Sequence, residues 1–490
     1  MAASSTDANS LFTEAAELEK RYEWGEAAGV FKRILQAMPA DEAERPVVSL
    51  RLAICHESAA FQTDSASAFQ GKIEEAIAVY RETEQTTDRD SPWKRRATAG
   101  RLRLESMLTE DPEARRSLLD NAIGLQRSVV KEFEQRGPTS VWLEAGNFGL
   151  LLLYERFLLN EELTEVLEEG LALAEKLTKS QTRNTNVDAR ALARVLRAYL
   201  AWFARDHFED WHRDPSRFDR VLQEALALEH EIQDRRILAA LLEGNLWARG
   251  IDQGLEVTDE DVDKVIAAAS VTRDRHFIGR ALYLAMYFTR WRLVTERDQE
   301  QAQKQFQETV RLFKKTEENL GHLRDPVSQY TVGSMYGDLV QSHYVYADFA
   351  TDPAQRKQLI EEAVTTFREG LPITRLTGGS TLSYLQYAAA EALRQLAQLE
   401  DGEQRKLEIL AEAVVIAEEK SVLDERVNPL FTWNIGVGYI SEGSLRYDLA
   451  GLTREPTRRR ELLEAAASRF QAGFEKIRSG TYPFSPGQVL

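Results

Sequence analysis

The 490-residue sequence contains a single cysteine, Cys55. One cysteine cannot form an intrachain disulfide, nor can it build a metal site from clustered cysteines. The neighbouring His56 does not make it a nucleophile, because adjacent residues of a helix point in different directions. We therefore expect Cys55 to be a small buried core residue with no catalytic role.

Long hydrophobic runs are also missing. The richest one, FGLLLLYERFLL, is interrupted by Glu155 and Arg156, so it cannot span a bilayer. The first residues, MAASSTDANSLF, contain neither a basic segment nor an apolar core, so no secretory signal is predicted. The expectation is a cytoplasmic protein with no membrane partner.

Positive charge is in deficit, with 62 Lys and Arg residues against 79 Asp and Glu residues and a formal net charge of −17. This excess of negative charge argues against nucleic acid and anionic membranes as partners, because both bind to basic surfaces. Only fifteen of the 62 basic residues are lysine. Arginine therefore dominates, and its planar, bidentate geometry suits ion pairs between neighbouring helices.

No linker rich in Gly, Ser or Pro divides the chain, although this length normally gives roughly two to four compact domains. An internal repeat explains the difference. In TDPAQRKQLIEEAVTTF, Asp352 can cap a helix, Pro353 suits its first position, and the apolar residues that follow share one helical face. The stretch EDPEARRSLLDNAI follows the same plan, as do segments that begin at Asp214 and Glu455.

The repeat has a period of about 49 residues, measured at the small residue on the apolar face of each copy. These residues are Ala27, Ala76, Ala122, Gly170, Ala225, Ala267, Thr309, Ala363, Ala413 and Ala466. Each unit contains two segments with helical periodicity, and no run of alternating β-branched residues is evident. The alternative, a set of separate helical bundles, fits less well because no long linker interrupts the spacing.

The predicted fold class is all-α, an α-solenoid of about ten helix hairpins. We expect a disordered N-terminal segment at residues 1–9, the solenoid at residues 10–478 and an irregular C-terminal tail at residues 479–490.

The first unit carries a family resemblance. In YEWGEAAGVFKRILQAMP, the residues Ala27, Phe31, Ile34 and Pro39 occupy in order the alanine, aromatic, apolar and proline positions of the tetratricopeptide repeat (TPR). The stretches KIEEAIAVYRE and IEEAVTTFREG repeat the alanine–aromatic pair. The chain thus resembles the TPR-like helical-repeat superfamily in the second helix of several units. The resemblance implies a right-handed solenoid whose first helices line a concave surface.

Clusters that could carry chemistry are weak. RDHFEDWHRD places two histidines five residues apart, so they do not share a helical face, whereas zinc-binding helices space them by four. WNIGVGYISEGSLRY contains three glycines but lacks the preceding strand of a phosphate-binding loop. The sequence therefore predicts no catalytic residue, no metal and no cofactor, and the protein is not expected to be an enzyme.

Candidate partner-binding residues lie on the first helices of two units. They are Arg190, Arg194, Arg197, Arg205, Trp433, Asn434 and Tyr439. The arginines form a stripe opposite the apolar face of their helix, and guanidinium groups suit the carboxylates of an acidic peptide segment. The alternative is that neighbouring Glu and Asp residues already pair with the stripe.

The predicted function is a non-enzymatic scaffold that binds another protein or an acidic peptide segment on its concave surface. The alternative is a ligand- or peptide-responsive regulatory subunit that controls a separate effector, such as a protease, an NTPase or a transcription regulator. The effector must be a separate chain, because no P-loop, protease signature or DNA-binding helix-turn-helix is evident.

Overall fold

The chain is all-α, as predicted. The computed structural model describes residues 5–180, 186–252 and 256–479, and within these ranges it has 21 α-helices, one π-helical turn and no strand. Consecutive helices pair into ten hairpins, which confirms the predicted solenoid of about ten units. We call the first helix of each hairpin the inner helix and the second the outer helix.

The inner helices are α1 (Ser5–Lys20), α3 (Arg45–Ala60), α5 (Pro92–Leu108), α7 (Ser140–Leu158), α9 (Val187–His207), α12 (Arg235–Trp247), α14 (Arg275–Thr295), α16 (Pro326–Ala347), α18 (Gly379–Leu399) and α20 (Thr432–Leu452). The outer helices are α2 (Trp24–Ala37), α4 (Ala66–Thr86), α6 (Pro112–Gln135), α8 (Thr164–Lys179), α11 (Ser216–Leu226), α13 (Asp259–Val271), α15 (Gln299–Leu320), α17 (Pro353–Thr377), α19 (Glu403–Val427) and α21 (Pro456–Ser479). A short helix, α10 (Glu209–Arg213), precedes α11, and the π-helical turn, Ala248–Asp252, follows α12.

The ends of the array differ slightly from the predicted boundaries. Helix α1 begins at Ser5, whereas the sequence placed the first ordered residue at position 10. Helix α21 ends at Ser479, one residue beyond the predicted limit of the solenoid. Residues 1–4 and most of the predicted tail, 480–490, lie outside the described residues.

In two of the three copies that contain the Asp-Pro pair, the aspartate caps the helix as predicted. The side chain of Asp352 accepts a hydrogen bond from the backbone N–H of Ala354 (3.1 Å), and Asp111 caps α6 in the same way. In the third copy, α11 begins one residue after Pro215, and no side chain forms a capping hydrogen bond there.

The small residues that set the repeat are buried, with one exception. Ala363 and Ala413 are fully buried, as are most of the others, and so is Gly170. Ala267, however, is exposed, and its neighbours Ala268 and Ala269 face the core instead. The sixth hairpin is shorter than the average unit, so extrapolating the period misplaced this position.

Replacing Ala363 with leucine is expected to lower the free energy of unfolding by about 1–3 kcal/mol, because a longer side chain overpacks a fully buried site on α17. Urea denaturation followed by circular dichroism measures the change. The control is Thr365→Leu, at an exposed position of the same helix. An Ala363→Leu midpoint equal to that of the native protein would contradict close packing at this position.

The two halves of the array pack against each other, because each of the first five hairpins contacts the hairpin five positions later. The bonds join the end of the earlier hairpin at which its two helices meet to the region where the later inner helix begins. They run from Arg235 N to Tyr22 Oη (2.6 Å), Arg275 N to Phe61 O (2.7 Å), Arg115 Nη2 to Arg324 O (2.5 Å), Ser380 N to Glu161 Oε1 (2.9 Å) and Leu430 N to Asp206 O (3.4 Å). Five hairpins therefore make one superhelical turn, and the second turn is stacked on the first.

Two glycines permit one of these contacts. Gly378 and Gly379 both have positive φ angles, 69° and 65°, at the junction between α17 and α18. A Cβ atom on Gly379 would lie 2.1 Å from Oε1 of Glu161. Any other residue at Gly379 would therefore strain the backbone and displace the Glu161 carboxyl group from its contact with Ser380.

Candidate functional site

The main candidate site is a cavity of about 260 Å³ that lies among the inner helices of the fourth to eighth hairpins. Helices α7, α9, α12, α14 and α16 contribute to its wall, and α11 adds two side chains. Helix α16 packs against α7 as well as against α14. The inner helices therefore surround the cavity almost as a closed ring, which we call the ring cavity.

The wall of the ring cavity is largely aromatic. It includes Tyr199, Trp202, Phe203, Trp247, Tyr283 and Tyr330. Rings pack against each other along the wall, as in the edge contact of Trp247 with Tyr287 at 4.6 Å between centroids. Space remains where the wall residues are small, notably at Ala198, Ala240 and Gly244. An ideal Cβ on Gly244 would meet no atom within 4 Å.

The charged groups of the wall neutralise each other. Arg280 pairs with Glu243 (Nη2 to Oε2, 2.9 Å), and the Arg280 guanidinium also donates to the hydroxyl of Tyr199 (2.8 Å). Tyr199 in turn donates to the carbonyl of Ala240 (2.9 Å). Burial raises the pKa of Tyr199 well above its usual range. Burial alone would lower the pKa of Arg280, but the adjacent Glu243 raises it, so the guanidinium keeps its charge in the wall of the cavity.

A second polar network lies behind Tyr283. Its hydroxyl donates to Oδ2 of Asp338 (2.9 Å), and Oδ1 of the same carboxylate accepts from Tyr384 (2.8 Å). Arg290 Nε lies 3.1 Å from Oδ1, so the fully buried Asp338 has a counter-charge. Burial raises the pKa of Asp338. The network fixes the Tyr283 ring and connects the ring cavity to the ninth hairpin through Tyr384 on α18.

The predicted arginine stripe faces the outer helix of its own hairpin. Arg194 Nη1 donates to the backbone carbonyl of Glu224 (2.9 Å), and Arg197 pairs with the Glu224 carboxylate (2.7 Å). Arg190 is half-buried near the start of α9. Arg205 is placed differently, with its guanidinium carbon 4.1 Å from the centroid of Trp202, a wall residue of the ring cavity. Of the four arginines, the structure therefore brings only Arg205 next to the cavity wall.

The predicted residues on α20 lie at the tenth hairpin. Tyr439 is buried and donates to the carboxylate of Glu425 (2.7 Å), and the carbonyl of Asn434 accepts from Lys420 Nζ (3.4 Å). Trp433 is half-buried near the start of α20. Leu430, just before this helix, hydrogen-bonds Asp206, so the start of α20 lies beside the end of α9 that carries Arg205.

The weaker chemical clusters form no metal site in the described part of the chain, where no group of three His, Cys, Asp or Glu residues converges. His207 Nε2 lies 2.8 Å from the carbonyl of Glu161, and Nδ1 of His212 lies 3.1 Å from the carbonyl of Arg205. Cys55 is fully buried, and burial raises the pKa of its thiol. Among the helices that the structure describes, none is long and apolar enough to cross a membrane.

Comparisons with known proteins give similarities of fold. A scan of protein families and a search of characterised proteins found no match. Solved structures that match include the human IFIT1 dimer with m7Gppp-AAAA, which is 14% identical, with 93% of this chain and 88% of that one covered and a TM-score of 0.44. Yeast Tom70 is 12% identical over 97% of both chains, with a TM-score of 0.26. A circular tandem repeat protein with a novel repeat topology is 14% identical, with 96% and 97% covered and a TM-score of 0.20.

These similarities are too distant for functional inference, because each TM-score is below 0.5 and each identity is far below 25%. The evidence for the architecture is instead the set of ten hairpins in the chain itself. In architecture the chain is an α-helical repeat array of ten hairpins, the fold that the resemblance in its first unit implied.

Proposed function

We propose that the protein is a non-enzymatic binding protein that holds a small, largely apolar ligand in the ring cavity and regulates a separate effector chain. The observation that carries this proposal is the aromatic cavity itself, with open space at Gly244. Aromatic walls with a few placed polar groups are typical of small-molecule sites. A volume near 260 Å³ suits a ligand smaller than most drugs, which fill at least about 300 Å³.

The polar groups of the wall favour binding over catalysis. Glu243 and Arg280 are held by each other, and Trp247 Nε1 donates to the same carboxylate (3.3 Å). A general base or a nucleophile needs a reactive group that is free to accept or attack. A paired, neutral wall instead offers hydrogen bonds that orient a ligand while the aromatic rings supply apolar contact.

Regulation follows from where the ring cavity lies. Its wall includes α7 of the first superhelical turn and α16 of the second, which pack against each other. A ligand that contacts both helices stabilises their closed arrangement by its binding free energy. Occupancy would therefore favour one winding of the superhelix, which an effector chain could detect on the outer surface.

The experimental test blocks the ring cavity with a larger side chain at position 244. The wild-type protein is expected to bind indole, a small aromatic probe, with a rise in thermal midpoint, and to carry a bound small molecule in native mass spectrometry. Gly244→Leu should abolish both signals, because its side chain enters the open space. Gly244→Ala is the matched control, which should retain binding and gain up to about 1 kcal/mol of stability from helix propensity.

The proposal is contradicted if the Gly244→Leu protein folds and binds indole as well as the Gly244→Ala protein does. A mass adduct that persists in Gly244→Leu would likewise place the ligand elsewhere.

The scaffold function is the second candidate, and exposed apolar side chains favour it. Tyr447 is 60% exposed and Phe474 is 63% exposed, both in the last hairpin. Large apolar residues with this exposure are common at protein-binding surfaces. The arginine stripe stays a proposed partner site, although Arg194 and Arg197 already contact Glu224. A cytoplasmic location and the exclusion of nucleic acid, which rests on the net charge of −17, also stay predictions.

A further inference from the structure

A second surface, independent of the ring cavity, lies at the end of the array between the outer helices α19 and α21. It is a groove of about 480 Å³, which we call the end groove. One side is formed by Lys406 and Leu410 of α19, and the other by Arg459 and Leu463 of α21. Helices α18 and α20 form its floor, where the Tyr447 ring is exposed.

A groove of the same kind occurs earlier in the chain, and there opposite charges span it. Between the outer helices α6 and α8, over α7, lies a groove of about 380 Å³. Arg127 of α6 donates to Glu169 of α8 (Nε to Oε1, 2.6 Å), and Lys176 of α8 pairs with Glu134 of α6. These two ion pairs join the facing helices, so Arg127 and Lys176 are each paired with a carboxylate of the same chain.

The end groove lacks this internal compensation. Lys406 and Arg459 face it from opposite sides, and both are cations. In the part of the chain that the structure describes, neither side chain forms an ion pair with a carboxylate. The acidic side chain at the floor, Asp448, is already paired with Arg394 (2.8 Å). The end groove therefore presents positive charge in a chain whose net charge is −17.

Apolar surface lies between the two cations. The Tyr447 side chain is 60% exposed and Leu463 is 38% exposed, whereas Leu410 is buried at the base of the groove. Exposed apolar area rimmed by charge is the usual anatomy of a peptide-binding site, in which an apolar anchor is seated and charged contacts fix the register.

We propose that the end groove binds a segment of a partner protein in which a large apolar side chain is flanked by carboxylates. The apolar side chain contacts Tyr447 and Leu463, and the carboxylates pair with Lys406 and Arg459. These ion pairs replace the ones that the chain supplies for itself in the groove between α6 and α8. The net negative charge of the rest of the protein repels acidic segments elsewhere, so the charge complementarity is local to the end groove.

The experiment uses the full chain and a fluorescein-labelled peptide built of alternating Glu-Glu and Leu-Phe pairs, with fluorescence anisotropy as the readout. We expect saturable binding that Lys406→Glu weakens by about tenfold or more, which is about 1.4 kcal/mol. Lys131→Glu is the matched control, since Lys131 lines the groove between α6 and α8 and the substitution changes net charge by the same amount. Leu463→Ser should also weaken binding. Circular dichroism confirms that each variant is folded.

Several results would overturn the proposal. Equal weakening by Lys131→Glu and Lys406→Glu would mean that only net charge matters. Equal binding of a peptide with Lys in place of Glu would remove the role of carboxylates. The predicted C-terminal tail contains two aromatic residues, Tyr482 and Phe484. Peptide binding that appears only when both are replaced with serine would mean that the tail of this chain, not a partner, occupies the groove. Gly244→Leu should leave peptide binding unchanged, so this proposal and the ring-cavity proposal can fail separately.

Discussion

Replacing Arg103 with methionine is expected to lower the free energy of unfolding by about 3–5 kcal/mol. Arg103 on α5 is 5% exposed and donates twice to Glu155 on α7, from Nε (2.7 Å) and from Nη2 (2.6 Å). It also pairs with Glu57 on α3. Removing the guanidinium leaves the carboxylate of Glu155, which is 1% exposed, buried without its counter-charge.

The double variant Arg103→Met with Glu155→Leu tests this reason. It removes both buried charges and fills their space with apolar atoms, so it should regain most of the lost stability. Urea denaturation midpoints of the native protein, the single variant and the double variant give the comparison. If the double variant is as unstable as Arg103→Met alone, loss of packing rather than an unpaired charge explains the effect.

Protonation of Glu161 is expected to make the free energy of unfolding of the native protein larger at pH 4.5 than above pH 7, by on the order of 3 kcal/mol. Replacing Glu161 with glutamine is expected to remove this pH dependence. Glu161 is 1% exposed at the contact between the fourth and ninth hairpins. Its carboxyl accepts from the N–H of Ser380 (2.9 Å) and from the Ser380 hydroxyl (3.1 Å). Burial nevertheless raises the pKa of Glu161 from 4.5 to about 7, and the nearby carboxyl of Asp206 adds to the rise.

The sign of the pH dependence follows from this rise. Between pH 4.5 and pH 7 the folded protein keeps a proton on Glu161 that the unfolded chain releases, so the contribution to stability falls as pH rises and is lost above pH 7. Glutamine imitates the protonated acid at every pH, so Glu161→Gln should be more stable than the native protein at pH 8. Near pH 4.5 the two should be alike.

Urea denaturation at several pH values measures the difference between these two proteins. Burial also raises the pKa of Asp274, to about 6, but Asp274 is present in both, so its contribution cancels in the difference. A difference that stays constant from pH 4.5 to pH 8 would show that Glu161 is already ionised in the folded protein.

Much of the architecture could be predicted from residue patterns because it depends on local chemistry. Capping at Asp352, the proline after it and the apolar face that follows are all determined within a few residues along the chain. Where a unit is shorter than the mean period, the same reasoning placed the small core residue at the exposed Ala267 instead of at its buried neighbours Ala268 and Ala269. The hairpin count depends only on the number of such signals, which explains why ten units could be predicted.

The candidate sites were harder to predict. The apolar run broken by Glu155 and Arg156 suggested only that no membrane helix exists there, yet both charged residues are buried and paired across helices. The ring cavity was missed because its wall comes from helices far apart in the chain. Its one sequence signal, the recurrence of aromatic residues on the inner helices, is also what an ordinary core contains.

Caps and apolar periodicity act over a single helical turn, so residue patterns were enough to predict the helical class, the repeat and the approximate position of each hairpin. No residue pattern indicates that five hairpins complete a superhelical turn or that the second turn packs on the first; both follow from the three-dimensional packing. That outcome depends on small rotations between successive hairpins, which accumulate along the array. Contacts such as that between Glu161 and Ser380 join residues 219 positions apart, and a local pattern carries no information about which two distant loops will meet.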